Sequence, residues 1–302
     1  MEVLVKGGTF FEGPRWHGGR WWVSDFGRHA VFSVGTGGDE RLEMKLDNDE
    51  PSGLGFMPDG SLLVVQQLAR RLLRRTPTGE VLVHADLSHL APRLNDMVVD
   101  AQGRAYVGAV NDFDGTPSAA ELARGTSLIL VEADGTARPV GTPLRSPNGM
   151  VITPGGELIV AETLGSRFTA FSVAKDGSLV AGRIWAQFGT MPTMDVLSGL
   201  SDGMMMLQLL ERMADGCCLD AEQCLWFADI RSARLVRVAE GGRIIEERAV
   251  PDGLIPVACM LGGNDGRTLL VCAATGLRPH AVPAGSGMLL TCQAPAPRAG
   301  HP

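Results

Sequence analysis

Gly155-Gly156-Glu157-Leu158-Ile159-Val160-Ala161-Glu162 sets a turn pair directly ahead of a run of β-formers. The turn pair supplies the positive φ of a tight hairpin, and the run reads as a buried strand. The same layout stands at Gly18-Gly19-Arg20-Trp21-Trp22-Val23-Ser24-Asp25, Asp59-Gly60-Ser61-Leu62-Leu63-Val64-Val65 and Gln102-Gly103-Arg104-Ala105-Tyr106-Val107-Gly108. It returns at Glu222-Gln223-Cys224-Leu225-Trp226-Phe227-Ala228-Asp229 and Asp265-Gly266-Arg267-Thr268-Leu269-Leu270-Val271-Cys272. Most copies are followed by a second strand and hairpin, as in Ala170-Phe171-Ser172-Val173 before Lys175-Asp176-Gly177 and Arg234-Leu235-Val236-Arg237-Val238 before Glu240-Gly241-Gly242. Copies recur at intervals of roughly 40 to 70 residues, a period with several short strands per unit that marks propeller blades. Six copies therefore predict an all-β fold, a six-bladed β-propeller. Glu2 to Lys6 is expected to add a strand to the last blade and close the ring.

No linker interrupts the pattern, so residues 1–293 read as a single propeller domain. The segment 294–302, opening with Ala294-Pro295-Ala296-Pro297, reads as a disordered tail. Two intervals are long. One holds Asn111 to Gly125. The other, about 189–214, carries Met204-Met205-Met206-Leu207-Gln208-Leu209-Leu210-Glu211-Arg212-Met213 after Ser201-Asp202-Gly203, and predicts a short helix inserted in a loop over one mouth.

With 45% hydrophobic residues, 39 glycines and 18 prolines, the 302-residue chain is turn-rich and able to bury a sizeable core. A net charge of −7 and a pI near 5.4 argue against a nucleic-acid partner, which demands a basic face. The basic run Arg70-Arg71-Leu72-Leu73-Arg74-Arg75 suits a strand with a solvated face. No stretch is long and apolar enough to predict a membrane span, and Met1-Glu2-Val3-Leu4-Val5-Lys6 lacks a signal-peptide layout, so a cytoplasmic location is the expectation. Cys217, Cys218, Cys224, Cys259, Cys272 and Cys292 form no Cys-x-x-Cys pair and read as buried free thiols. Alternation on a strand sends Cys217 and Cys218 to opposite faces.

Four motifs lie roughly seven or eight residues ahead of a repeat unit, an offset that puts them at equal heights around the propeller axis. They are Glu12-Gly13-Pro14, Arg93-Leu94-Asn95-Asp96, Ser146-Pro147-Asn148-Gly149-Met150 and Ala214-Asp215-Gly216. A ring of Glu12, Asn95, Asn148 and Asp215 is an oxygen-only cage suited to a hard cation such as calcium, magnesium or manganese. Taken singly, Gly-Pro and Asn-Gly pairs also mark plain turns.

Phe11-Glu12-Gly13-Pro14-Arg15-Trp16, Pro51-Ser52-Gly53-Leu54-Gly55, Asn95-Asp96-Met97-Val98-Val99-Asp100, Pro147-Asn148-Gly149-Met150 and Asp215-Gly216-Cys217-Cys218-Leu219-Asp220 occur in this order at blade spacing. In this the chain resembles the senescence marker protein/gluconolactonase family of regucalcin-like, calcium-dependent lactonases. The resemblance implies Glu12, Asn148 and Asp215 as metal ligands and Asp215 as general base. It implies that Asn95 binds the metal, a metal-bound water or substrate, and that Arg93 contacts substrate. One divalent ion is implied, calcium first, with manganese, magnesium and zinc as alternatives. The implied reaction is hydrolysis of a small-molecule lactone or similar ester. Phosphoester hydrolysis, another carbonyl reaction, or a non-catalytic calcium- or ligand-binding propeller stand as alternatives.

The chain departs from the family pattern in places. Ala214 stands where a proline is frequent, and Gln223 where a turn glycine is expected. Ser201-Asp202-Gly203 offers a second register for the aspartate ligand; Asp215 is preferred because Cys217 to Glu222 continues into the strand with family spacing. Methionines over the mouth would favour a substrate more apolar than a sugar acid lactone. Gly199-Leu200-Ser201-Asp202-Gly203 matches a nucleophile-elbow pattern, but no convincing strand precedes it and the chain lacks βα alternation. His17, His29, His84, His89 and His280 show no metal-ligand spacing.

Overall fold

The turn pairs do what their chemistry requires. Gly60, Gly103 and Gly156 have φ of +82°, +81° and +82°, and each closes its turn by donating its amide to the carbonyl three residues back. Gln223 takes the same left-handed position at φ +59°, bonded to Asp220 O, where the family pattern has glycine.

In the computed structural model the described residues are 1–111, 118–193, 196 and 203–302. Their strands make six antiparallel sheets. Blade 1 holds β2 (Phe11–His17), β3 (Arg20–Asp25), β4 (Ala30–Val34) and β5 (Glu40–Lys45); blade 2 holds β6 (Pro51–Phe56), β7 (Leu62–Gln66), β8 (Arg71–Arg75) and β9 (Val81–Asp86). Blade 3 holds β10 (Arg93–Val99), β11 (Ala105–Val110), β12 (Thr126–Val131) and β13 (Ala137–Leu144). Blade 4 holds β14 (Pro147–Ile152), β15 (Glu157–Glu162), β16 (Arg167–Val173) and β17 (Leu179–Gln187). Blade 5 holds β18 (Ala214–Asp220), β19 (Leu225–Asp229), β20 (Arg234–Val238) and β21 (Ile244–Ala249). Blade 6 joins β22 (Ile255–Gly262), β23 (Thr268–Ala274) and β24 (Gly287–Gln293) to β1 (Glu2–Gly8). The inner strands β2, β6, β10, β14, β18 and β22 each touch the next, and β22 touches β2, so the ring is closed. The expected six-bladed propeller, with an N-terminal strand completing the last blade, is the observed one.

Burial follows the blade. Strands β7 and β19 are buried almost throughout, whereas the outer β21 alternates partly buried and exposed residues. Cys217 packs between blades 4 and 5 while Cys218 joins the core shared with blade 6, as alternation requires.

The inner strands share a second regularity. All six slip register near the upper end, at Glu12/Arg15, Pro51/Leu54, Leu94/Met97, Pro147/Met150, Ala214/Cys217 and Pro256/Ala258. A bulge bends its strand and re-aims side chains. Most of the motifs read from the sequence lie on these bulges.

The opposite end departs from expectation. The segment expected as a disordered tail is tied down along its length. Ala294 N donates to Arg267 O (2.7 Å) and Ala221 N to Pro297 O (2.7 Å). Arg298–Ala299 forms β25 on β18, and His301 exchanges two backbone hydrogen bonds with Ile152. The Ala-Pro composition suggested disorder, but the edges that satisfy this backbone come from hairpins of blades 4, 5 and 6. The strap borders two cavities, of about 780 and 460 Å³, at the end remote from the bulges.

The predicted inserted helix is present as α2 (Gly203–Leu209). Met206 is fully buried against Ala119 and Ala123, flanking α1 (Ala119–Leu122), while Met205 is exposed. Ser201 and Asp202 lie outside the described residues.

Candidate active site at the bulged mouth

Close approach of neighbouring inner strands explains the letter after each donor. A Cβ on Gly13 would lie 2.7 Å from Ser52 O, and one on Gly53 2.5 Å from Met97 N. On Gly149 it would lie 2.5 Å from Cys217 N, and on Gly216 2.5 Å from the Ala258 Cβ. Glycine is required there by crowding, and the preceding residue, Glu12, Ser52, Asn148 or Asp215, sits at the bulge. In blade 3 the second position is Asp96, whose carboxylate instead accepts from Arg15 Nη2 at 2.8 Å. Arg15 also donates to Pro14 O and Met97 O, and both charged groups are buried. This pair joins blades 1 and 3 and neutralises Asp96.

Glu12 and Asp215 remain. Neither has an ion-pair partner among the described residues. Glu12 Oε2 accepts from its neighbour Gly13 N at 3.1 Å, while the Asn148 side chain and Gly216 N stand by the Asp215 carboxyl and favour its ionised form. Burial pushes both carboxyls well above the usual carboxylate range. The charge of Asp215 and then of Asp96 raises Glu12 further, and Asp96 raises Asp215. With Asp96 paired to Arg15, ionising Glu12 and Asp215 would leave about two negative charges without a counter-ion, a load that a divalent cation would match. Asn148 completes a set of oxygen donors. No group of three or more His, Cys, Asp or Glu is placed to hold a metal among the described residues, so any cation site here depends on amide oxygen as well.

Asn95 stands beside this set, its Nδ2 donating to Pro147 O at 3.4 Å. Arg93 begins the same strand. Its Nε donates to Gln67 Oε1 (2.9 Å) and its Nη2 to Glu50 Oε2 (2.8 Å). Glu12 and Asp215 thus lie within range of each other's charge, with Asn148 beside Asp215, and Arg93 and Asn95 lie on β10, the inner strand next to that of Asn148.

Three acids that end repeat units, Asp25, Glu162 and Asp229, hold the site's approaches. Asp25 accepts from Thr9 N (2.9 Å) and Phe10 N (3.3 Å), just ahead of Glu12. Glu162 accepts from Arg145 N (2.8 Å), ahead of Asn148, and Asp229 from Met213 N (2.9 Å), ahead of Asp215. All three are fully buried. Their recurrence as the last letter of three repeat units was the available signal. Thr163 Oγ1 adds a bond to Ala214 O at 2.7 Å.

Other candidates fall away. Burial raises the Cys217, Cys259 and Cys272 thiols, which keeps them protonated and poorly nucleophilic. His17 ends β2 and stacks on Phe56 at 3.7 Å beside the smaller remote cavity.

Fold and site define a six-bladed propeller with an acidic, oxygen-rich centre at one mouth. The chain belongs to the family described as SMP-30/Gluconolactonase/LRE-like region, which matches residues 10–275. Among solved structures it is similar to a luciferin-regenerating enzyme, with 16% identity over 99% of this chain and 97% of that one, at a TM-score of 0.75. It is similar to a calcium-binding protein, regucalcin, from Agrobacterium tumefaciens str. C58, with 19% identity, coverage of 99% and 96%, and a TM-score of 0.73. A gluconolactonase from Xanthomonas campestris matches with 17% identity, coverage of 99% and 89%, and a TM-score of 0.68. At such identities the likeness is one of fold. No helix among the described residues is long and apolar enough to cross a membrane.

Proposed function

We propose that the protein is a divalent-metal-dependent hydrolase that opens a lactone or similar ester. The observation that carries this reading is the pair of carboxyls, half-buried Glu12 and buried Asp215, that have no cationic partner among the described residues and stand beside an amide, Asn148. Membership of a family that includes gluconolactonases supports it. Glu12, Asn148 and Asp215 would hold the cation, calcium first on the chemistry of the donors, and it would supply Lewis acidity toward the ester carbonyl. Asp215 takes the proton of the attacking water. As the ring C–O bond breaks, the same carboxyl returns the proton to the departing alkoxide. Asn95 and Arg93 orient the substrate by hydrogen bonds from the neighbouring blade. A substrate with an apolar flank remains part of this reading, because Met205 is exposed on the inserted helix.

The test is hydrolysis of a panel of lactones, aryl esters and organophosphates, before and after chelation and with calcium or manganese restored. Lactone turnover should disappear with chelator and return with the ion. Asp215→Asn should lower kcat by about 10³-fold or more while leaving the fold intact. Undiminished turnover in chelator, or a wild-type rate from that variant, sinks the assignment.

A further inference from the structure

Glu50 immediately precedes β6 and its side chain is 1% exposed. A carboxylate so deeply buried needs partners, and each oxygen has one close by. Oε2 accepts from Arg93 Nη2 at 2.8 Å, and His280 Nε2 lies 3.0 Å from Oε1. Arg93 is also held through Nε by Gln67, a residue 4% exposed. Two of the three guanidinium nitrogens are thereby occupied. Nη1 has no partner among the described residues, and the side chain is about a quarter exposed, at 27%.

His280 comes from elsewhere in the ring. It lies in a single turn, Pro279–Ala281, within the connection from β23 to β24 in blade 6. Its side chain is 73% exposed, yet its Nε2 reaches a buried acid of blade 2. The adjoining backbone is fixed independently. Asp49 accepts from Glu50 N (2.7 Å), Leu68 N (2.9 Å) and Ala69 N (2.8 Å). His29 Nδ1 lies 2.9 Å from Asp49 O. Glu50 is thus mounted on a rigid corner, with one partner from the candidate site and one from an exposed loop.

We propose that Glu50 is the positioning residue for Arg93, holding its free Nη1 edge toward the substrate, and that His280 secures the blade 6 connection onto the same carboxylate. The proposal rests on the reading of Arg93 as a substrate contact. A guanidinium held at two nitrogens presents its third without losing rotamer freedom on binding, which is the advantage of a preorganised donor. Coupling runs through one acid: loosening Glu50 loosens Arg93, and releasing His280 frees the loop and removes one of the two donors that hold the carboxylate.

Double-mutant cycles test this on the full-length protein. Glu50→Gln keeps the shape and one acceptor oxygen but removes the charge and the second acceptor, and should raise KM for a hydrolysed lactone about tenfold with kcat nearly unchanged. In an Arg93→Ala background the same substitution should change KM less than twofold. His280→Ala, an exposed change that leaves the core untouched, should raise KM about threefold in the wild type and not at all beside Glu50→Gln. Binding of a non-hydrolysable δ-lactam, followed calorimetrically in chelator, should show the same pattern. This arm separates the two ideas: a protein that turns over no lactone but shows the coupled losses in lactam affinity refutes the hydrolase reading and keeps Glu50. Glu50→Gln effects that persist undiminished without Arg93, losses confined to kcat, or a wild-type protein that neither binds the lactam nor hydrolyses any lactone would overturn the positioning role.

Discussion

Gln223 shows how a residue can obey a motif's geometry while breaking its letter. Its backbone occupies the left-handed position that Gly60, Gly103 and Gly156 hold in other blades. A side chain there costs about 1 kcal/mol through the clash of Cβ with the carbonyl, partly offset because glycine frees the unfolded chain. Gln223→Gly should therefore stabilise the protein by roughly 0.5 kcal/mol and leave turnover unaltered, since this turn is at the end remote from Asp215. A lower denaturant midpoint would show that the Gln223 side chain contributes more than its backbone strain takes away. The same scale shows what the sequence could reveal of the site. Glu12, Asn148 and Asp215 stand out in the sequence because their motifs share one offset from the blade repeat and resemble a known family; the glycine after each reflects the crowding at the bulge. The role of Asp96 is not legible in its motif, because its partner Arg15 stands 81 residues away and no local pattern links them.

Among elements, the short segments entering β2, β14 and β18 matter as much as the strands. Each is pinned by a buried acid at the end of the second strand in its own blade: Asp25, Glu162 or Asp229. Asp229 accepts from four different residues, through Met213 N, Arg231 N, the Ser232 hydroxyl and the Arg212 guanidinium. Asp229→Ala would strand these donors and cost about 3 kcal/mol or more, the penalty of breaking one side of a buried charged network. It should also weaken cation binding, because Met213 is two residues from Asp215; Asp229→Asn, which keeps one acceptor oxygen, should recover part of both. Unfolding curves and calorimetric titration with calcium would read the two effects, and unchanged calcium affinity in Asp229→Ala would remove the positioning role. The blades were legible as elements because each is a local unit of strand and turn. The C-terminal strap was not, since its pairing depends on edges supplied by distant hairpins rather than on its own Ala-Pro letters. The partner of the inserted helix was equally hidden: the interval from Asn111 to Gly125 was visible as long, but nothing in it announced that α1 would receive Met206.

At the scale of the whole molecule, the ring is closed by hydrogen bonds and packing alone. β1 pairs with β24 through Glu2↔Thr291 and Val3↔Leu290, so the two ends of the domain complete one blade. The candidate cage spans the same ring, with Glu12 in blade 1, Asn148 in blade 4 and Asp215 in blade 5. A cation bound there would tie blade 1 to blades 4 and 5, which are not its neighbours in the ring, and its binding energy would appear as resistance of the entire ring to unfolding. At a free-ion concentration one hundred times the dissociation constant, the stabilisation should be about 2.7 kcal/mol, provided the unfolded chain does not bind. Because the donors are dispersed along the sequence, unfolding should remove the site altogether, so the midpoint should rise with the logarithm of calcium concentration once the site is saturated. Asp215→Asn should flatten that dependence, while Asp220→Asn, at the remote end of the same strand, should lower stability without changing the slope. Equal slopes for wild type and Asp215→Asn would place any bound ion elsewhere on the protein. A steep slope lost only with the inner-mouth aspartate would tie the ion to the same bulges that the blade repeat first brought into register.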